Sequence, residues 1–103
     1  MSNADLVQYI IEQASQAGEV RARKMFGDYC LYCNDKPVGL ICDDYLYLKP
    51  LKQLDSVLRE DDRQMRPPYD GAKPHYVITD VDDADYVSLL VKTVVENLPS
   101  KKR

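Results

Sequence analysis

Apolar residues recur along this chain in two rhythms, and the change from one to the other divides it. Leu6, Val7, Ile10, Ile11, Ala14 and Ala17 follow three- and four-residue steps, the spacing that lines one side of an α-helix. Ser2 and Asp5 have the S-x-x-D spacing related to a capping box, and Gly18 lies where a helix C-cap is wanted. From there the rhythm shortens. Val20 to Met25 precede Gly27, Tyr29 to Cys33 precede Asn34-Asp35-Lys36, Val38 to Cys42 precede Asp43-Asp44, and Tyr45 to Leu48 precede Lys49-Pro50. Runs of about 4–8 apolar, β-branched or aromatic residues bounded by Asn, Asp, Gly and Pro are strands joined by hairpins. The stretch from Arg23 to Pro50 therefore predicts, with Val20 to Met25 as its first strand, an antiparallel meander of four strands. Alternation puts Tyr29, Leu31 and Cys33 on one side of their strand and Cys30 and Tyr32 on the other. Leu46 and Leu48 alternating with Tyr45 and Tyr47 is the cleanest period-two signal in the chain.

Beyond the meander the helical rhythm returns. Pro50 suits a helix start because its missing N–H is not needed there, and Leu51, Leu54, Val57 and Leu58 make a short stripe behind it. The charged run Arg59 to Arg63 reads as a solvated exit. Met65 to Pro74 holds three prolines and a glycine, which predicts a shaped loop rather than a linker to a second domain. His75 to Thr79 reads as a last strand. Asp80, Asp82 and Asp83 are candidate N-caps for a helix carrying Val87, Leu90, Val91, Val94, Val95 and Leu98, which Pro99 closes. The order α-β-β-β-β-α-β-α predicts one α+β domain over residues 1–103: a two-layer fold with a mainly antiparallel sheet of about five strands and helices on one face. No internal repeat or low-complexity tract is visible.

Composition sharpens the functional side. With 103 residues there is room for one core. Eight tyrosines against one phenylalanine and no tryptophan suit half-buried sheet faces and contact surfaces, where one end of the ring stays wet. A net charge of −3 and a pI near 5.0 disfavour direct nucleic-acid binding, which needs a basic face. The basic residues do cluster locally, at Arg21, Arg23 and Lys24 and at Lys101-Lys102-Arg103. No apolar run approaches the ~18 residues of a membrane span, and the N-terminus shows no signal-peptide core. A cytoplasmic protein with no membrane partner is expected.

Candidate chemistry is sparse. Cys30 and Cys33 have CxxC spacing, but on a strand positions i and i+3 face opposite ways, so buried free thiols are expected rather than a redox or metal pair. His75 is the only histidine and has no orienting partner or nucleophile at a recognisable spacing. Asp43-Asp44 and the acids of Asp80 to Asp85 suit turns and caps, and calcium-loop spacing is absent. No catalytic residue, metal or cofactor is therefore assigned. Met25-Phe26-Gly27, flanked by Arg23 and Lys24, is either a core anchor at a strand bend or a glycine-opened surface. Arg66-Pro67-Pro68-Tyr69 sets an arginine beside an aromatic on a rigid loop, a pairing common at protein interfaces and equally able to cover the end of a sheet.

Taken in order, Arg23-Lys24-Met25-Phe26-Gly27, the pair Tyr29 and Tyr32, Asp43-Asp44 with Leu46 to Pro50, and Pro68-Tyr69 before Gly71 to Tyr76 resemble the N-terminal domain of the TfoX/Sxy proteins. The resemblance covers nearly the whole chain. It implies an α+β domain of the secretion-chaperone-like kind, and a role like that of the family's best-known members, which regulate natural competence as co-activators with the cyclic-AMP receptor protein at promoters. Those members carry a further C-terminal helical domain, which this chain, ending at Arg103, is expected to lack. The resemblance supplies no catalytic residues.

The leading expectation is a non-enzymatic regulatory or protein-interaction module, with the transcription machinery a candidate partner. Its expected interaction surface comprises Arg23, Lys24, Phe26, Gly27, Arg66, Tyr69, Lys73 and His75. The alternative is a small ligand-binding protein or enzyme using a pocket near Lys24, Phe26, Tyr69 and His75. A third reading is direct DNA binding through Arg21, Arg23 and Lys24. An uncovered first or last strand would also let two copies pair as a homodimer.

Overall fold

The computed structural model describes residues 4–25 and 28–98, Met25 in its backbone only. Phe26, Gly27, the cap candidate Ser2, Pro99 and the basic tail Lys101-Lys102-Arg103 lie outside the described residues. The elements are α1 (Ala4–Gln13), β1 (Val20–Met25), β2 (Asp28–Cys33), β3 (Lys36–Cys42), β4 (Tyr45–Leu48), β5 (Met65–Arg66), β6 (His75–Ile78) and α2 (Ala84–Asn97). Short 3₁₀ turns occupy Ser15–Ala17, Lys52–Ser56 and Glu60–Asp62. The fold is α+β, with two helices against an open antiparallel sheet of six strands among the described residues.

The meander forms for local reasons. Asn34-Asp35 joins β2 to β3 and Asp43-Asp44 joins β3 to β4, and all four residues have φ between 52° and 67°. Two successive left-handed residues make the primed turn whose twist matches a hairpin, and Asn and Asp tolerate that conformation best after Gly. The sheet order is β1-β2-β3-β4-β6-β5. After β4 the chain travels to the far edge, lays down β5, and returns as β6 between β5 and β4, antiparallel to both. A bulge interrupts the β2–β3 register between Leu31 and Tyr32. Just beyond it, a Cβ on Gly39 would sit 2.1 Å from the Tyr47 carbonyl oxygen. Only a residue without a side chain lets β3 approach β4 this closely.

Both helices pack on the same side of the sheet. Val7 and Ile10 of α1 and Val87, Leu90, Val91, Val94 and Val95 of α2 meet Leu31, Cys33, Ile41, Leu46, Leu48 and Ile78 in one buried cluster. Each such side chain contributes about 1.5–3 kcal/mol of transfer free energy when fully buried. Asp83 caps α2, its carboxylate accepting the Tyr86 N–H at 3.2 Å. Lys36 reaches the other end, donating to the carbonyls of Val95 and Leu98 at 3.4 and 3.5 Å, where the helix dipole favours a cation.

Four expectations change. The segment after Pro50 is a 3₁₀ turn over Lys52–Ser56, not a second α-helix. Leu51, Leu54 and Val57 are spaced by three, and Leu54 N–H bonds to Leu51 O and Val57 N–H to Leu54 O. That is the period of a 3₁₀ helix, whose side chains eclipse every third residue. Met65-Arg66, placed in the loop by its prolines, is the edge strand β5, so the sheet has six strands rather than about five. The run Arg59 to Arg63 is not simply solvated, since Asp62 is wholly buried. Finally, α1 ends at Gln13 rather than at Gly18. Gly18, at φ 149°, is required because a Cβ there would lie 2.6 Å from Asn34 Oδ1, the atom that accepts the Glu19 N–H.

Candidate functional site

Strand alternation leaves a second sheet face that neither helix covers. Register places Arg23, Cys30, Leu40, Tyr47 and Val77 side by side across five strands. Cys42, Tyr47 and Val77 form a small buried cluster of their own, with Leu40 packed against it. The segment between β5 and β6 stands beside this face. Pro68 is buried while Tyr69 beside it is 59% exposed, so the proline pair holds the ring outward.

Tyr69 separates two concavities. One, of about 390 Å³, has a floor of Cys30, Pro37, Gly39 and Leu40 and walls carrying Lys49, Lys73 and His75. The other, of about 520 Å³, lies between Asp43, Tyr45 and Tyr47 on the sheet and Arg66 to Asp70 on the loop. In the latter the Arg66 guanidinium sits 5.1 Å over the Tyr45 ring and donates to the Tyr47 hydroxyl at 3.4 Å. Tyr45 is itself 43% exposed. Cation–π stacking and this hydrogen bond hold the Arg66 guanidinium against the two tyrosines, an arrangement that costs an interface arginine little further ordering.

None of the three thiols is activated for attack. Burial pushes the Cys30 thiol up, with Tyr32, Lys49 and Arg23 opposing the rise. Burial also raises Cys33, and it raises Cys42 to about 11 with help from the Asp28 carboxylate. A nucleophilic cysteine needs the opposite shift. His75 Nδ1 lies 2.8 Å from the Lys73 carbonyl oxygen; a carbonyl only accepts, so Nδ1 carries the hydrogen. Among the described residues no hydrogen bond joins His75 to Cys30.

The residues singled out from the sequence divide. Tyr69, Lys73 and His75 share the first concavity, and Arg66 and Tyr69 the second. Arg23 lies on the same face opposite Cys30. It also lines, with Arg21, Tyr32 and Asp35, a third hollow of about 570 Å³ at the β1 edge, where Arg21 is ion-paired to Asp35. Lys24 is paired with Tyr29 on the helix-bearing side, so it lines neither concavity. Phe26 and Gly27 lie outside the described residues. Cys30 and Cys33 face opposite ways, as their spacing required: Cys33 enters the main core and Cys30 the open face. Lys49, Tyr45 and Tyr47 were not singled out, although the Tyr-Leu-Tyr-Leu-Lys alternation already set the two tyrosines on one side.

The family model described as TfoX N-terminal domain matches residues 12–97 of the chain. The chain is also 33% identical over 104 residues to a protein of Spirochaeta aurantia described as an uncharacterized 12.7 kDa protein in the trpE 5′ region, an alignment covering 98% of this chain and 87% of that relative.

Proposed function

This chain belongs to the TfoX N-terminal domain family, and on that premise we propose that it is a non-enzymatic regulatory module acting through a protein partner. The observation that carries this reading is the surface built by Tyr45, Arg66 and Tyr69. Two exposed aromatic rings flank an arginine held over one of them, on a loop stiffened by Pro67 and Pro68. Tyrosine and arginine are the side chains that dominate binding energy at interfaces, and a pre-shaped loop loses little entropy on docking. The raised thiols weigh against a cysteine nucleophile.

The partner is a protein of the transcription machinery, met in the cytoplasm, and nucleic acid is contacted through that partner. The acidic balance of the chain supports this indirect route, as does the use of Arg21 in an ion pair with Asp35. Self-pairing along the edge strand β1 would set Arg21, Arg23 and Lys24 against their own copies, a like-charge arrangement that edge strands use to refuse a partner. That like-charge row supports a different chain rather than a second copy as the partner at this edge. Affinity capture with mass spectrometry, run in parallel on wild type, Tyr69→Ala and Arg66→Ala, tests this. One polypeptide enriched by wild type and lost from both variants is expected. Identical recovery by all three overturns the role of this surface.

A further inference from the structure

The first concavity departs from the charge balance of the chain. Acidic residues outnumber basic ones 17 to 14 in the chain, yet this hollow is lined by two lysines and a histidine with no carboxylate. Three arginines elsewhere are neutralised locally: Arg21 by Asp35, Arg59 by Asp80 and Asp83, Arg63 by Asp55. Lys49 and Lys73 have no ion-pair partner among the described residues. Their positive field falls over an apolar floor, and beside low-dielectric walls charges act more strongly than in open water.

We propose that the hollow walled by Lys49, Lys73 and His75 binds a small phosphate monoester with an apolar or aromatic body. Its volume of about 390 Å³ lies within the ~300–1,000 Å³ typical of small-molecule sites. Phosphate rather than carboxylate follows from the donors. Lysine is a point charge that suits tetrahedral oxyanions, whereas planar carboxylate readout favours the arginine fork, and no arginine lines this hollow. The Lys73 carbonyl occupies His75 Nδ1–H, so Nε2 of the neutral ring is an acceptor and the two lysines supply the donors to the phosphate oxygens. Leu40, Pro37 and the Tyr69 ring supply the surface for the ligand's apolar part. A pair of solvated surface lysines is the plain alternative, and it predicts no saturable site.

Titration of the intact chain with phenyl phosphate, benzoate and phenol, followed by ¹⁵N–¹H NMR, decides between them. Phenyl phosphate is expected to give saturable shifts confined to Cys30, Leu40, Lys49 and the segment from Tyr69 to His75. Benzoate is expected to bind more weakly and phenol not at all. Lys49→Gln and Lys73→Gln should each weaken phenyl phosphate about tenfold, as loss of a charged hydrogen bond does, while Lys92→Gln on α2 leaves it unchanged. Lys73 is exposed and Lys49 half-buried, and folding of each variant is checked by its own spectrum. Absence of saturation up to about 10 mM phenyl phosphate, weaker than any useful affinity, overturns the proposal. So do equal responses to phenol, tighter binding of benzoate, or affinity insensitive to both hollow lysines.

Discussion

The Tyr86 hydroxyl donates a hydrogen bond to the wholly buried Asp62 carboxylate at 2.8 Å. Asp62 also accepts the backbone N–H and the hydroxyl of Thr79, each at 2.8 Å. The Tyr86 hydroxyl in turn accepts the Arg59 N–H at 3.0 Å, and the Arg59 guanidinium lies 4.1 Å over the Tyr86 ring. One carboxylate thus ties the irregular segment after β4 to the end of β6 and the first turn of α2. A buried charge is tolerated only when so fully hydrogen-bonded.

Tyr86→Phe removes one of the three donors, and about 1–2 kcal/mol of stability should go with it. Asp62→Ala strands all three and should cost more, about 3 kcal/mol. Urea unfolding measures both. Changes below about 0.5 kcal/mol, the usual surface effect, would show that the network is decorative.

Stability should fall at alkaline pH. Burial and the neighbouring Asp62 carboxylate push Tyr86 from 10.0 up to about 12, and burial with Asp28 pushes Cys42 from 9.0 up to about 11. Both groups hold their proton more tightly when folded. Their contribution is complete below the unfolded values and is lost as pH rises through the folded ones. The melting temperature should therefore decline from about pH 9 to about pH 12, with a shallower upper part in Tyr86→Phe. A flat profile across that window contradicts the two shifts.

Cys30, Cys33 and Cys42 are free and buried, and their thiols are held protonated. An aromatic disulfide reagent near about pH 8 should label the native chain far more slowly than a small thiol, and all three positions promptly in denaturant. Fast native labelling of Cys30 would mean that the hollow above it is more open than described.

Gly39→Ala should cost roughly 2 kcal/mol or more, because the new methyl would meet the Tyr47 backbone at 2.1 Å and two paired strands would have to part. Thermal unfolding gives the answer. An unchanged midpoint would place the β3–β4 approach elsewhere.

Tyr69→Ala is expected to leave stability within about 0.5 kcal/mol, since most of the ring is already in water. A calorimetric melt matching wild type would assign any lost partner to the surface itself. A large drop would instead make Tyr69 part of the fold.

What the chain determined by itself is whatever depends on neighbours in sequence. The helix stripes, the strand alternation and the Asn-Asp and Asp-Asp turns rest on side-chain geometry within a few residues, so α1, α2, β1 to β4 and β6 were legible, as was the opposition of Cys30 and Cys33. The three-residue spacing of Leu51, Leu54 and Val57 is legible too, although with Leu58 it also fits an α-helical stripe, and only the structure separates the two. Tertiary structure alone decided the rest. Two residues at Met65-Arg66 are too few to signal a strand, and they became one because β6 offered an unpaired edge. Asp62 lay in a charged run that looked solvated until Thr79 and Tyr86, 17 and 24 residues away, closed over it. Lys49 met Lys73 and His75 only because β6 inserts beside β4. Hydrogen-bond partners and cavity walls drawn from distant segments follow from which edges and faces remain to be satisfied once the local elements exist, and no local pattern records that.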